Sequence, residues 1–450
     1  MKKNKIVNTF IFFFLALTIL STNALFAAAE NAKNPQIITN EYGKYIFAIW
    51  AKNDSTNDII QTSYSSDYGS TWSSPIDLSF LGQNAAIPDL ASDSYQKFIY
   101  GLWQRSNGTN IIVQFAYSKT NDFQNWSTAV DLSLAGQNAT SPKIITSDIG
   151  KNVFVTWTRS NGTNDIIRFN RSTDFGSTWT GPIDLSGNGQ NATMPQISSN
   201  ENQNCICSLW TRSNGTNDII QFRLSSNYGG TWASVINLSD AGQNAKDPQI
   251  QTTKNVIYAV WARSNGSNDI IQLRLSDSSG SNWSSAFDLS TTGQTAKNPQ
   301  IAADKDGQNT YVAWARSNGT NDIIQLSYSS DYGLIWSSPI DLSATGQTAK
   351  DPQIATDNYG QNIYVTWIRS SGTNDIVQVA YSTDFGSTWS SPVDLSDAGQ
   401  NAQDPQITTD ADGQKACVIW TRSDGTKDVI QVSGSQFYGS LWSIPQTISD

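Results

Sequence analysis

PQIATDNYGQNIYVTWIRSSGTNDIVQVAYSTDFGSTWSSPVDLSDAGQ, residues 352–400, is one copy of a unit that fills the chain. Its apolar residues fall in four short runs, PQIATD, NIYVTWIRS, TNDIVQVAYS and STWSSPVDLS, divided by Gly, Asn, Asp and Ser. Runs rich in β-branched and aromatic residues between turn formers read as four antiparallel strands, and nothing in the unit has a helical period. In the second run Ile363, Val365 and Trp367 face one way and Tyr364 and Thr366 the other. Both faces of this small sheet therefore need cover.

Sixteen tryptophans place the copies. They form eight pairs, 50/72, 103/126, 157/179, 210/232, 261/283, 314/336, 367/389 and 420/442, whose first members recur every 51 to 54 residues. Four-stranded sheets that shield one another's faces, repeated at about 40–50 residues, are the pattern of a β-propeller. The expectation is an all-β chain with eight blades in one ring, an open stack being the alternative. The units run 31–82, 83–136, 137–189, 190–242, 243–293, 294–346, 347–399 and 400–450, a single domain over 30–450. Each holds a proline (Pro35, Pro88, Pro142, Pro195, Pro248, Pro299, Pro352, Pro405) expected to open an innermost edge strand, where a missing N–H does no harm. Closure is expected by blade 8 packing on blade 1.

Lys2, Lys3 and Lys5, an apolar stretch and Ala27-Ala28-Ala29 have the layout of a secretory signal peptide over 1–29. The expectation is an exported chain, secreted, periplasmic or held at the cell surface, with no membrane span after signal removal. A net charge of −10, more acidic still without the leader, argues against nucleic acid as a partner. The absence of histidine removes the commonest general base and metal ligand. No cofactor or metal is called for, and a monomer is expected. Of three cysteines, Cys207 and Cys417 stand three residues before a repeat tryptophan, where other units carry Phe or Tyr, and read as small core residues.

Between the third and fourth strands lie SSDYGSTW (65–72), STDFGSTW (172–179 and 382–389) and SSDYGLIW (329–336). They resemble the S-x-D-x-G-x-T-W Asp box (BNR repeat) of sialidase-like propellers. The reading gives Asp67, Asp174, Asp331 and Asp384 backbone N–H groups to accept, Gly69, Gly176, Gly333 and Gly386 a positive φ, and Trp72, Trp179, Trp336 and Trp389 a place between sheets. The resemblance implies that these turns sit on the face opposite a family active site. A sialidase would need three carboxylate-gripping arginines, a tyrosine nucleophile with its glutamate, an aspartate acid/base and an Arg-Ile-Pro segment. Arg-Ile-Pro is absent, and Glu41 and Glu201 fall in loops on the Asp-box face. An exo-alpha-sialidase-like glycoside hydrolase therefore stays only as the alternative, and no catalytic residue is assigned.

The remaining repeated feature is the loop RSNGTND. Asn-Gly makes a two-residue hairpin turn. Arg105, Arg159, Arg212, Arg263, Arg316, Arg369 and Arg422 occupy one place in seven units, and Asp165, Asp218, Asp269, Asp322 and Asp375 another. Arg212 and Asp218 are expected to pair across the hairpin. The connector GQNA lies on the same face, so each cleft between blades is expected to gather an arginine, an aspartate and an amide such as Gln190, Gln243 or Gln400. Such groups suit sugar hydroxyls or a carboxylate. The chain thus reads as a multivalent binder of glycans or of a surface protein.

Overall fold

The computed structural model describes residues 31–449, except 96, 120–122, 201–203, 318, 371 and 424. The expected signal segment, 1–29, lies outside the described residues, as does Glu201. Eight sheets of four antiparallel strands follow one another in chain order, each with its strands in the order one to four. In blade 1 they are Ala32–Thr39, Ile46–Asn53, Asp58–Ser65 and Ile76–Asp77. In blade 7 they are Ala349–Thr356, Ile363–Ser370, Asp375–Ser382 and Val393–Asp394.

Two-faced second strands explain the ring. Ile363, Val365 and Trp367 of blade 7 pack on Tyr311, Ala313 and Ala315 of blade 6. On the next interface Ile368, Val377 and Val379 of blade 7 meet Val418 and Trp420 of blade 8. The eighth such interface joins Trp50 and Ile46 of blade 1 to Ile419, Ile430 and Val432 of blade 8, which closes the circle. All eight first tryptophans are fully buried. At about 25 cal/mol per Å2, burying a side chain of 150–250 Å2 favours folding by roughly 4–6 kcal/mol before entropy is counted.

The prolines sit differently from expectation. Each first strand begins three or four residues before its proline: Ala32 and Lys33 already pair with Lys52 and Ala51, and the register slips before Gln36. The residue ahead of each proline has φ between 50° and 54°: Asn34, Ile87, Ser141, Met194, Asp247, Asn298, Asp351 and Asp404. This bulge takes the proline, which has no N–H, out of the ladder without ending the strand. The residues ahead of the prolines in blades 2–7, from Ile87 to Asp351, line the mouth of the central channel, a cavity of about 380 Å3, with the prolines of blades 3–7.

The turns after strands one and three share one face. Tyr68 N bonds Lys44 O, and Phe175 N bonds Lys151 O. Here Asp67 accepts from Thr71 N (2.8 Å), Thr71 Oγ1 (2.7 Å) and Ser65 Oγ (2.8 Å), and Asp174 and Asp384 repeat the set. Asp331 takes Leu334 N and Ile335 N instead. Gly69, Gly176, Gly333 and Gly386 have φ of 79–81°. The following tryptophan reaches the preceding blade: Trp179 meets Phe115 edge to face at 4.9 Å, and Trp72, Trp336 and Trp389 join the same interfaces. Tyr100, Tyr258, Tyr311 and Tyr364 donate to Gly150, Gly307, Gly360 and Gly413 O of the next blade. Cys207 and Cys417 replace such an aromatic as buried free thiols.

Candidate functional site: the clefts between blades

Hairpins and connectors meet on the other face through one asparagine. Asn84 Oδ1 accepts from Asp58 N of blade 1, while its carbonyl accepts from Ser106 N of blade 2. Asn138, Asn191 and Asn244 repeat both bonds. Asn31 does the same between Asp428 N of blade 8 and Asn53 N of blade 1. This staple went unread in the sequence, although the GQNA repeat signalled it.

The expected pairing of hairpin arginine with hairpin aspartate does not occur. Arg369 pairs with Ile376 in register and Ser370 with Asp375, so the two charged side chains leave opposite faces of the sheet. Asp375 instead meets Lys350 at 2.9 Å, as Asp269 meets Lys246 and Asp322 meets Lys297. In blades 3 and 4, Thr140 and Thr193 stand in the lysine's place. There Asp165 and Asp218 make no ion pair among the described residues, and their amides bond Asn191 and Asn244.

The arginines are held from the other side. Trp367 Nε1 donates to Gln378 Oε1 (3.1 Å), and Gln378 Nε2 donates to Asp394 Oδ1 (2.6 Å). Arg369 reaches Asp394 Oδ2 at 3.4 Å and donates to Gln347 Oε1 at 3.0 Å. Arg159 does likewise with Asp184 and Gln137, Arg263 with Asp288 and Gln243, and Arg316 with Asp341 and Gln294. Arg105 reaches Asp131. These five side chains are only 10–15% exposed and their Nε atoms are buried without partners, so no free guanidinium fork faces solvent. The strand-four aspartates, missed from the sequence although DLS closes most units, are the exposed ends of the network. Blades 4 and 8 lack that carboxylate, with Asn237 and Thr447 in its place beside Arg212 and Arg422. There the Oε1 atoms of Gln190 and Gln400 are buried and unpartnered.

One cleft opens into a groove. Asp394 and Asp397 of blade 7 and Leu441, Trp442, Ile444 and Pro445 of blade 8 line about 440 Å3. Asp394 is half exposed there while Arg369 and Gln378 fix its oxygens. A carboxylate held this way still has lone pairs for hydroxyl or ammonium donors.

No protein-family model matches the chain, and no curated protein resembles it in sequence. Solved structures do share its shape. A polysaccharide lyase of family PL25, an ulvan lyase, superposes with TM-score 0.52 at 12% identity over 91% of this chain and 95% of its own. Polysaccharide lyase Uly1 gives 0.50 at 10% identity over 74% of this chain and 87% of its own. The NanB sialidase of Streptococcus pneumoniae gives 0.41 at 11% identity over 90% of this chain and 83% of its own. At such identities the likeness is one of propeller fold. Among the described residues no helix is long and apolar enough to cross a membrane.

Proposed function

We propose that this chain is an exported, multivalent, lectin-like carbohydrate binder whose sites are the clefts between blades. The observation that carries this reading is the groove between blades 7 and 8, where a fixed, half-exposed carboxylate, Asp394, stands beside the indole of Trp442. An aromatic face for the apolar side of a pyranose and oriented acceptors for its hydroxyls are what sugar recognition needs. Because the hairpin arginines of five blades, blade 7 among them, are engaged internally, the expected ligand is a neutral sugar rather than an acidic one. That the neighbours in fold include polysaccharide lyases is compatible with a glycan partner.

Equivalent weak sites around a ring gain avidity when one polymer spans several of them. The test is a glycan array read with the chain from residue 31 onward and with Asp394→Asn. Retention of neutral glycans that falls at least tenfold in the variant supports the reading. Failure to retain any glycan, with capture through the exposed Leu441 and Ile444 instead, would replace it with the protein-platform reading.

A further inference from the structure

Opposite the hairpin face, the turns after the first strands form the rim of a bowl of about 590 Å3. Backbone bonds tie these turns to one another around the ring: Lys305 N to Asn358 O, Asn358 N to Ala411 O, Ala411 N to Glu41 O and Ser94 N to Asp148 O. Among the described residues the bowl is acidic, with Glu41, Asp93, Asp148, Asp357 and Asp410 lining it against Lys305, and with Lys97 at the rim 5.9 Å from the Tyr95 ring.

The buried aspartates at the start of these turns are not alike. Asp357 Oδ2 accepts from Asn362 N and Nδ2, and Asp410 Oδ2 accepts from Lys415 Nζ. Asp304, in the same place in blade 6, has its Oδ2 filled by Asn309. In blade 2 the residue five positions after Asp93 is Phe98, which offers only its amide, to Oδ1 at 2.6 Å. Asp93 is 1% exposed, and its Oδ2 is buried with no partner. An ionised oxygen left so costs free energy that a ligand donor would recover. Burial accordingly raises the Asp93 pKa, with Phe98 N pulling the other way. At the rim beside it Tyr95 is 60% exposed and lines the same bowl.

We propose that this bowl is a second ligand site, distinct from the clefts between blades, and that it takes an amino sugar. The protonated amine is drawn by the carboxylates and donates to Asp93 Oδ2, while the pyranose face lies on Tyr95. An ammonium supplies three donors and a positive charge, whereas the amide of an acetylated sugar supplies one donor and none. An acidic bowl also discriminates against sugars that carry carboxylate or sulfate.

Calorimetric titration of the chain from residue 31 with glucosamine, N-acetylglucosamine and glucose tests the site. Glucosamine is expected to bind at least tenfold tighter than the other two. Asp93→Asn should lose that preference while unfolding at no lower temperature, and Asp394→Asn should keep it. Equal affinity for the three sugars, or undiminished glucosamine binding by Asp93→Asn, overturns the proposal. Loss in Asp394→Asn alone also overturns it, by moving the amine to the clefts. Failure of the glycan array leaves this result unaffected, because the two sites share no residue.

Discussion

Arg263 donates to the side-chain oxygen of Gln243 with one terminal nitrogen and lies 3.6 Å from Asp288 with the other. Gln243 enters blade 5 from the connector and Asp288 ends its outermost strand, so one guanidinium bridges the entrance and exit of the blade. Replacing Arg263 by Met should cost about 1–2 kcal/mol, discounted because Asp288 is partly exposed. Asp269→Asn, which removes only the exposed pair with Lys246, should cost under about 1 kcal/mol. Chemical denaturation of the two variants checks the order; equal losses would contradict it.

Glycines with left-handed backbone divide by what surrounds them. Gly229 has φ 73°, and a Cβ there would lie 2.5 Å from Phe169 Cζ of the preceding blade. Gly215 has φ 95° and open space, its nearest neighbour being Gln190 Nε2 at 3.9 Å. Gly215→Ala should cost about 1–2 kcal/mol from backbone strain alone. Gly229→Ala adds overpacking and should cost about 2–5 kcal/mol in total, measured by the same unfolding curves.

Acid should weaken the turns that carry the repeated aspartate. The side-chain hydrogen bond from Thr178 holds Asp174 below its ordinary value of 3.8, and that from Thr388 does the same for Asp384. A lowered folded pKa means that the unfolded chain takes up protons first. The contribution is therefore whole above the ordinary aspartate value and fades as pH falls through it. Thr178→Val with Thr388→Val should shallow the loss of stability on acidification, read from unfolding free energies at stepped pH. An unchanged slope would show that the backbone donors carry the effect.

Asp93 runs the opposite way. With its folded pKa raised by burial, its destabilising cost is absent below the ordinary aspartate value and grows as pH rises through the folded one. Asp93→Asn should therefore gain stability over the parent at neutral pH and lose that gain in acid, as calorimetric melting at the two pH values would record.

The Cys207 and Cys417 thiols should be silent in the folded state. Burial pushes the Cys417 thiol up to about 12, and desolvation raises Cys207 well above its ordinary value. A thiolate-directed reagent should label neither until denaturant is added. Labelling of Cys417 in the native protein at neutral pH would contradict its place in the interface of blades 8 and 1.

Strand number and blade count were legible because the tryptophan pairs, the hairpin turns and the two-faced second strands all agree on one unit. Where the first strand begins was not, since a proline is ordinarily a strand boundary and the bulge that rescues it has no side-chain signature at Asn34 or Met194 alike. The arginine's partner was misread for a reason of parity. Asp375 is near Arg369 along the chain but leaves the other face, while Asp394, distant in sequence, shares its face through Gln378. The bowl was invisible because its singular feature is a missing donor, a phenylalanine at position 98 where sister turns carry Asn309 or Asn362.

In the first strands, the residue before each proline holds one backbone shape while its side chain is free to differ: Asn34, Ile87, Ser141, Met194, Asp247, Asn298, Asp351 and Asp404. Elsewhere the repeat ties the eight copies to one another through staples and shared cores, so a change in one is felt by its neighbour. Here the copies share one backbone geometry and differ in chemistry, with side-chain contacts between neighbours such as Asn298 Nδ2 to Asp351 Oδ1 at 3.2 Å. Mutation can therefore redraw the pore's inner surface one blade at a time, turning an eightfold wall into a lopsided one, without touching the interfaces that keep the ring shut.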